Sequence, residues 1–225
     1  WEIARKVFDL GLLNAEVPAE YGGGGLSTLE SCVMAEEFAW GCAGIATALF
    51  ANDLAAMPII IVGNEEQKRK YIGALSSTFQ MAAFCLTEPE AGSDVAGIQT
   101  TAIKDGDSYI LNGRKCFISN GGVANLLTVF ASTDREKKQK GLSTFILTGD
   151  MPGVSRGKRE DKMGQRASDT SEVLFEEVRV PRENLLLNEG DGFKIAMMTL
   201  DRTRPSVGAL GVGVARRALE EATQY

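Results

Sequence analysis

Histidine is absent from the 225 residues, and the four cysteines, Cys32, Cys42, Cys85 and Cys116, include no C-x-x-C pair. A Ser-His or Cys-His nucleophilic pair is therefore excluded within this chain, and a zinc site has no plausible ligand set. Each cysteine sits among apolar neighbours, as expected of buried free thiols in a reducing compartment. Cations are in deficit, with a net charge of −6. The densest cationic stretch, Arg135 to Lys140, is short, carries Glu136 and reads as a solvated loop. No nucleic-acid surface is expected. Long apolar runs are also lacking. The longest, Leu54 to Val62, is broken by Pro58 and too short for a membrane span. No G-x-G-x-x-G opens a helix after a strand, which disfavours a Rossmann site. There are no internal repeats and no low-complexity segments.

What is present has the length and the 44 % apolar content to bury one sizeable core or two smaller ones. The first third reads as helical. Ile3, Ala4, Val7 and Phe8 are already at helical spacing, so the chain opens mid-helix and its N-terminus is expected to be truncated. Gly11 is a plausible stop. After the glycine-rich turn Pro18 to Gly25, Ser27-Thr28-Leu29-Glu30 has capping-box spacing and predicts a helix from about Thr28 to Trp40. A second apolar stretch covers about Ile45 to Ile61. Asn64 can cap a further helix through Leu75, with Glu65 and Glu66 favourably placed in its first turn.

From Gln80 to about Val180 the segments are short and rich in β-branched and aromatic residues: Met81–Leu86, Ser108–Leu111, Arg114–Ile118, Leu126–Ala131, Ser143–Leu147 and Glu172–Val180. Asn112-Gly113 between two of them predicts a hairpin turn. Helical character returns after Gly192. Pro205 is expected to break or kink that stretch or start a new helix. Gly208, Gly211 and Gly213 suggest close approach of another helix. This order predicts an α+β multi-domain chain: a helical domain over 1–79, a β-sandwich or barrel over 80–183, and the start of a helical bundle over 184–225.

Three segments could carry chemistry. The run Phe84 to Asp94 ends an apolar strand in Thr87 and enters a turn with Gly92 and Ser93, whose amides could approach a phosphate. Lys115 to Gly122 places Phe117 beside backbone donors, a combination suited to a planar heterocycle. Asp201-Arg202-Thr203-Arg204-Pro205 gathers charge that could grip a polar ligand. The residues alone equally allow an ordinary strand-to-loop turn, a core aromatic and a solvated helix end.

Together, however, LTEPEAGSD, NGRKCFISNGG, GQRASDT, VPRENLL and DRTRP, in that order and spacing, strongly resemble the acyl-CoA dehydrogenase family over essentially the whole chain. The stretches AEVPAEYGGGGLS, NDLAAMPIIIVGNEEQKRKY and RALEEATQY look most like its medium-chain branch. The resemblance implies an N-terminal helical domain, a middle β-domain and a C-terminal four-helix domain. It also implies FAD-dependent conversion of a fatty acyl-CoA to a trans-2-enoyl-CoA in fatty acid β-oxidation. An electron-transferring flavoprotein would be the acceptor and a homotetramer the assembly, in the mitochondrial matrix or the bacterial cytoplasm. An acyl-CoA oxidase of the same fold and a non-catalytic fragment are the alternatives.

Residue by residue, the resemblance implies flavin contacts from Phe84, Cys85, Leu86, Thr87, Gly92 and Ser93, and from Phe117, Ile118 and Ser119. The medium-chain branch usually has tryptophan and threonine at the Phe117 and Ser119 positions. Ser93 and Asp201, Arg202, Thr203 and Arg204 would meet the CoA moiety. Ala46, Phe50 and Leu54, at i, i+4 and i+8 on one helix face, would line the end of the acyl pocket. That branch usually has glutamine and glutamate at the Ala46 and Phe50 positions, so an apolar pocket end for medium or shorter chains is expected here. One branch places its catalytic glutamate where this chain has Thr203. In the medium-chain branch it lies farther along, so the base is expected beyond Tyr225, and the 225 residues alone are expected to be inactive. Glu189, Glu220 and Glu221 match no base position.

Overall fold

A computed structural model describes residues 1–225. Helix α1 (Glu2–Asp9) leads through a 3-10 turn at Ala19–Tyr21 to α2 (Thr28–Val62). The capping box forms: the Ser27 hydroxyl accepts from the Glu30 amide, and the Glu30 carboxylate accepts from the Ser27 amide at 2.7 Å. The two helical stretches read from the sequence are halves of α2, joined across extended backbone at Cys42. Asn64 caps as expected, with Gln67 completing its capping box. Glu65–Gln67, a π-helical turn Lys68–Ile72 and Gly73–Ser77 follow as one helical rod, α3.

Seven strands come next: β1 (Ala82–Cys85), β2 (Thr101–Asp105), β3 (Ser108–Ser119), β4 (Leu126–Ser132), β5 (Leu142–Thr148), β6 (Val154–Arg159) and β7 (Thr170–Pro181). They form one curled sheet in the order β1-β4-β2-β3-β7-β6, with β5 antiparallel on β4. The expected hairpin at Asn112-Gly113 does not exist. Asp105 pairs with Ser108, so the turn is Gly106-Asp107, and β3 runs straight through Asn112 as a bulge. A Cβ on Gly113 would lie 2.4 Å from Thr100 Oγ1, so this glycine serves close approach of two chains rather than a turn. Arg135 to Lys140 form an exposed 3-10 segment, in keeping with the solvated loop expected there.

Strands β4 and β5 are buried on both faces, and their alternation divides the interior. Leu127, Val129, Phe145 and Leu147 point into the β-domain with Tyr109, Val173 and Phe175. Leu126, Phe130, Leu142 and Ile146 point the other way, against Ala55 and Ile59 of α2 and Ile72 and Leu75 of α3. Although α2 is long and apolar enough to cross a membrane, two thirds of its apolar window is buried, as in the core helix of a folded domain.

The last helix, α4 (Gly192–Gln224), passes through Pro205 without the expected break. It packs lengthwise on α2, and this contact compensates for the lost backbone hydrogen bond. Arg216 holds Glu36 and Glu37, Trp40 Nε1 donates to Glu220, and the Arg217 guanidinium lies over the Trp40 ring. Of the three glycines, only Gly213 lies at a close helix approach, where a Cβ would sit 2.1 Å from Glu36 O; Gly208 and Gly211 face open space. Gly213→Ala is therefore expected to destabilise the protein by about 1–3 kcal/mol. Gly208→Ala should stabilise it by roughly 0.5–1 kcal/mol. Urea midpoints of the two variants should move in opposite directions.

Candidate active site

Two of the three segments lie side by side. The Cys116 amide donates to Thr87 O at 3.0 Å, joining the end of β1 to the bulged end of β3. A buried ion pair fixes this junction. Lys115 Nζ, fully enclosed, reaches Glu88 Oε1 at 2.7 Å and Leu86 O at 3.1 Å. The Glu88 carboxylate also accepts from the amides of Gln99 and Thr100 and from Thr100 Oγ1. Burial pushes the Glu88 pKa up, but the Lys115 charge and these hydrogen bonds outweigh it and hold the carboxyl below its usual range.

On this frame the hydroxyls of Thr87, Ser93 and Ser119 have no hydrogen-bond partner within the chain, and neither do the amides of Gly92 and Ser93. Gly92 faces open space. Phe117, in left-handed backbone at the bulge, is 64 % exposed. Cys85 and Ile118 turn their side chains into the β-domain core, and Leu86 packs into the core between helices and sheet. For these three, only the main chain is available to a ligand. Burial pushes the Cys85 thiol up to about 12, so it is inert near neutrality. Phe84 is half-buried, edge-on to Phe130 at 4.9 Å.

Between α2 and α4 lies a cavity of about 400 Å³. Ser119 opens onto it, which links the bulged strand end to the cavity. Phe50 and Leu54 line it, together with Thr203, Val207, Leu210 and Val214. Ala46 is fully buried and does not line it; Ala43 and Thr47 occupy that helix face instead. Asp201, Arg202 and Arg204 stand on the exposed side of α4, with Arg204 paired to Asp201 at 2.8 Å.

The sequence reading missed two carboxylates in the cavity wall, Glu16 and Asp53. Asp53 is the only charged residue between Ala43 and Val62, and that isolation was the available signal. Burial, reinforced by the Glu16 charge, pushes the Asp53 pKa up to about 8. The three carboxylates noted from the sequence are engaged elsewhere. Glu189 accepts from Tyr109 Oη, Glu220 from Trp40 and Glu221 from Arg217.

Sequence profiles of three acyl-CoA dehydrogenase domains match the chain: the N-terminal domain over residues 1–78, the middle domain over 83–178 and the C-terminal domain over 190–225. The chain belongs to the acyl-CoA dehydrogenase family. A probable medium-chain specific acyl-CoA dehydrogenase of Caenorhabditis briggsae is 46 % identical over all of this chain and 56 % of its own length. The structure of butyryl-CoA dehydrogenase from Megasphaera elsdenii superposes with a TM-score of 0.96 at 44 % identity, over all of this chain and 60 % of that one. An acyl-CoA dehydrogenase from Bacillus anthracis, described as complexed with FAD, gives a TM-score of 0.93 at 40 % identity, over all of this chain and 38 % of its own. The chain thus spans somewhat over half the length of the curated relative and of the butyryl-CoA dehydrogenase. The helical, sheet and helical regions have the architecture of this family, as the sequence motifs implied.

Proposed function

We propose that the protein dehydrogenates an acyl-CoA thioester between its α- and β-carbons, with FAD held at the junction of β1 and β3 and the acyl chain in the cavity between α2 and α4. The supporting observation is the position of Ser119. Ser119 lines the cavity, its hydroxyl has no partner in the chain, and its strand is hydrogen-bonded to the segment carrying Thr87. The donor set suits the cofactor. Free hydroxyls at Thr87 and Ser119 and an uncovered Phe117 ring match a planar heterocycle, and the free amides at Gly92 and Ser93 match a phosphate group.

When bound, FAD would supply the hydride acceptor, with an electron-transferring flavoprotein as the proposed electron acceptor. The chain's own residues orient the thioester and exclude water. The apolar wall of Phe50, Leu54, Val207 and Leu210 dehydrates the acyl chain. Asp201, Arg202 and Arg204 stand where the polar CoA moiety can reach them from solvent. The proton to be lost from the α-carbon needs a carboxylate base, and Thr203 cannot serve as one. We assign the base to no residue among 1–225. We further propose three domains, at 1–79, 80–183 and 184–225.

The test uses the full-length protein. Anaerobic addition of a saturated acyl-CoA should bleach the flavin, with a 2-enoyl-CoA as product. Peroxide formed with each turnover in air would favour an acyl-CoA oxidase. Thr87→Ala should weaken FAD binding or shift the flavin spectrum; unchanged affinity and spectrum would remove Thr87 from the site. Phe50 packs edge-on to Phe38 at 6.5 Å and narrows the cavity. Medium or shorter chains are therefore expected, and Phe50→Ala should move the optimum toward longer ones. An unmoved chain-length profile would take Phe50 out of the pocket.

A further inference from the structure

The acyl cavity holds polar atoms that ordinary alkyl chains do not need. Glu16 and Asp53 both line it, 8 % and 5 % exposed. Glu16 Oε2 and Asp53 Oδ1 are fully enclosed and have no hydrogen-bond partner, and neither does the enclosed hydroxyl of Ser206 on α4. The one cation within 4 Å of either carboxylate is Arg202. Its Nε lies 3.9 Å from Glu16 Oε2, beyond hydrogen-bonding distance, and its side chain is half exposed. It offsets some of the Glu16 charge without capping either carboxylate. Such oxygens beside an apolar wall are unfavourable without a donor; the pair itself can offer only the proton that Asp53 keeps in the empty cavity, which a bound cation would replace.

An uncharged alkyl terminus supplies no donor. A hydroxyl supplies one. An ammonium group supplies three and carries the charge that two adjacent carboxylates favour. Three unpartnered acceptors, two of them carboxylate oxygens, match it in number and sign. Resting on the reading of this cavity as the acyl site, we infer that the preferred substrates are aminoacyl-CoA thioesters, whose ammonium group is received by Glu16, Asp53 and Ser206. Since Asp53 holds its proton to about pH 8 in the empty cavity, arrival of a cation should expel that proton near neutrality.

The full-length holoenzyme is compared on two matched pairs: 3-aminopropanoyl-CoA against butanoyl-CoA, and 6-aminohexanoyl-CoA against heptanoyl-CoA. In each pair an ammonium replaces a terminal methyl. At one length at least, kcat/KM for the amino substrate should equal or exceed that of its partner. Asp53→Asn and Glu16→Gln should each lower that ratio roughly 10–100-fold, as expected for hydrogen bonds to charged groups. Binding of the unreactive thioethers S-(6-aminohexyl)-CoA and S-heptyl-CoA, followed by calorimetry at pH 7 in two buffers, gives a second readout. The amino ligand should bind more tightly and release protons, and Asp53→Asn should abolish that release.

Robust turnover of the alkyl substrates with the amino ones at least about tenfold slower at both lengths would overturn the inference. So would variants that lower thermal stability while leaving the amino-to-alkyl ratio unchanged, because the carboxylates would then be satisfied by another part of the protein. If none of the four thioesters bleaches the flavin, the dehydrogenase reading fails instead, and the thioether binding still decides the matter of the ammonium site.

Discussion

Lys115→Met is expected to lower folding stability by about 3–5 kcal/mol, because it leaves the Glu88 carboxylate buried without its counter-charge. In the parent protein Glu88 is enclosed with Lys115 at 2.7 Å, and its oxygens also satisfy two amides and a hydroxyl at the start of β2. Glu88→Gln should be milder, since a carboxamide oxygen can still accept from some of those donors. The deficit should also depend on pH. The parent Glu88 has a depressed pKa, so its contribution is present above the unfolded carboxylate range and is lost as pH falls through the folded value. In Lys115→Met burial is opposed only by the hydrogen bonds from Gln99 and Thr100, so the pKa rises relative to the parent. The variant's deficit should then be smallest in acid, where Glu88 is protonated, and grow as pH rises. Urea midpoints between about pH 4 and pH 8 check both slopes. Because Lys115 also holds Leu86 O, next to Thr87, the variant should bind FAD more weakly even where it remains folded.

Local signals on one segment were legible in the sequence. Ser27 with Glu30 and Asn64 with Gln67 cap their helices through atoms three residues apart, and β1, β3, β4, β5 and β7 follow β-branched and aromatic runs, whereas the sequence reading lacks β2 and the polar β6. Signals whose outcome depends on a distant partner were not. Asp105-Gly106 and Asn112-Gly113 both suit a hairpin, and only Thr100 lying against Gly113 decides that the second is a bulge. Gly208 and Gly213 look alike in sequence and differ only in whether α2 passes beneath them. At the proposed site, Thr87, Ser93, Phe117 and Ser119 are the residues to which the family motifs point, and the structure leaves Phe117 exposed and the three hydroxyls without partners in the chain. The cavity acids were not legible, since Glu16 precedes the glycine-rich turn and Asp53 lies inside an apolar helix. Ala46 failed as a pocket residue because i, i+4, i+8 spacing defines a stripe without saying which side of it faces the cavity.

The position following Ser119 provides the second large effect. Asn120 is buried, has φ of 61°, and donates through Nδ2 to Ala48 O at 2.9 Å, Ala82 O at 3.2 Å and Asn52 Oδ1 at 3.3 Å. Asn52 extends the link to Asn14 and Gln80 O, and Asn14 to Leu75 O. Three asparagines thus tie α2, the end of α3, β1 and the end of β3 together. Asn120→Ala removes the donor and places a residue with no side-chain polar group in left-handed backbone. The expected loss is about 2–4 kcal/mol, combining the conformational cost with the orphaned acceptors. Asn120→Gly relieves the backbone cost alone and should recover roughly 1 kcal/mol of it. Both variants release the register of Ser119 against α2. Each should therefore weaken FAD binding on the order of tenfold, a difference of about 1.4 kcal/mol, under conditions where circular dichroism shows the protein folded. If Asn120→Gly binds FAD as tightly as the parent, Ser119 is held by the β3–β7 pairing alone and the asparagine chain serves stability only.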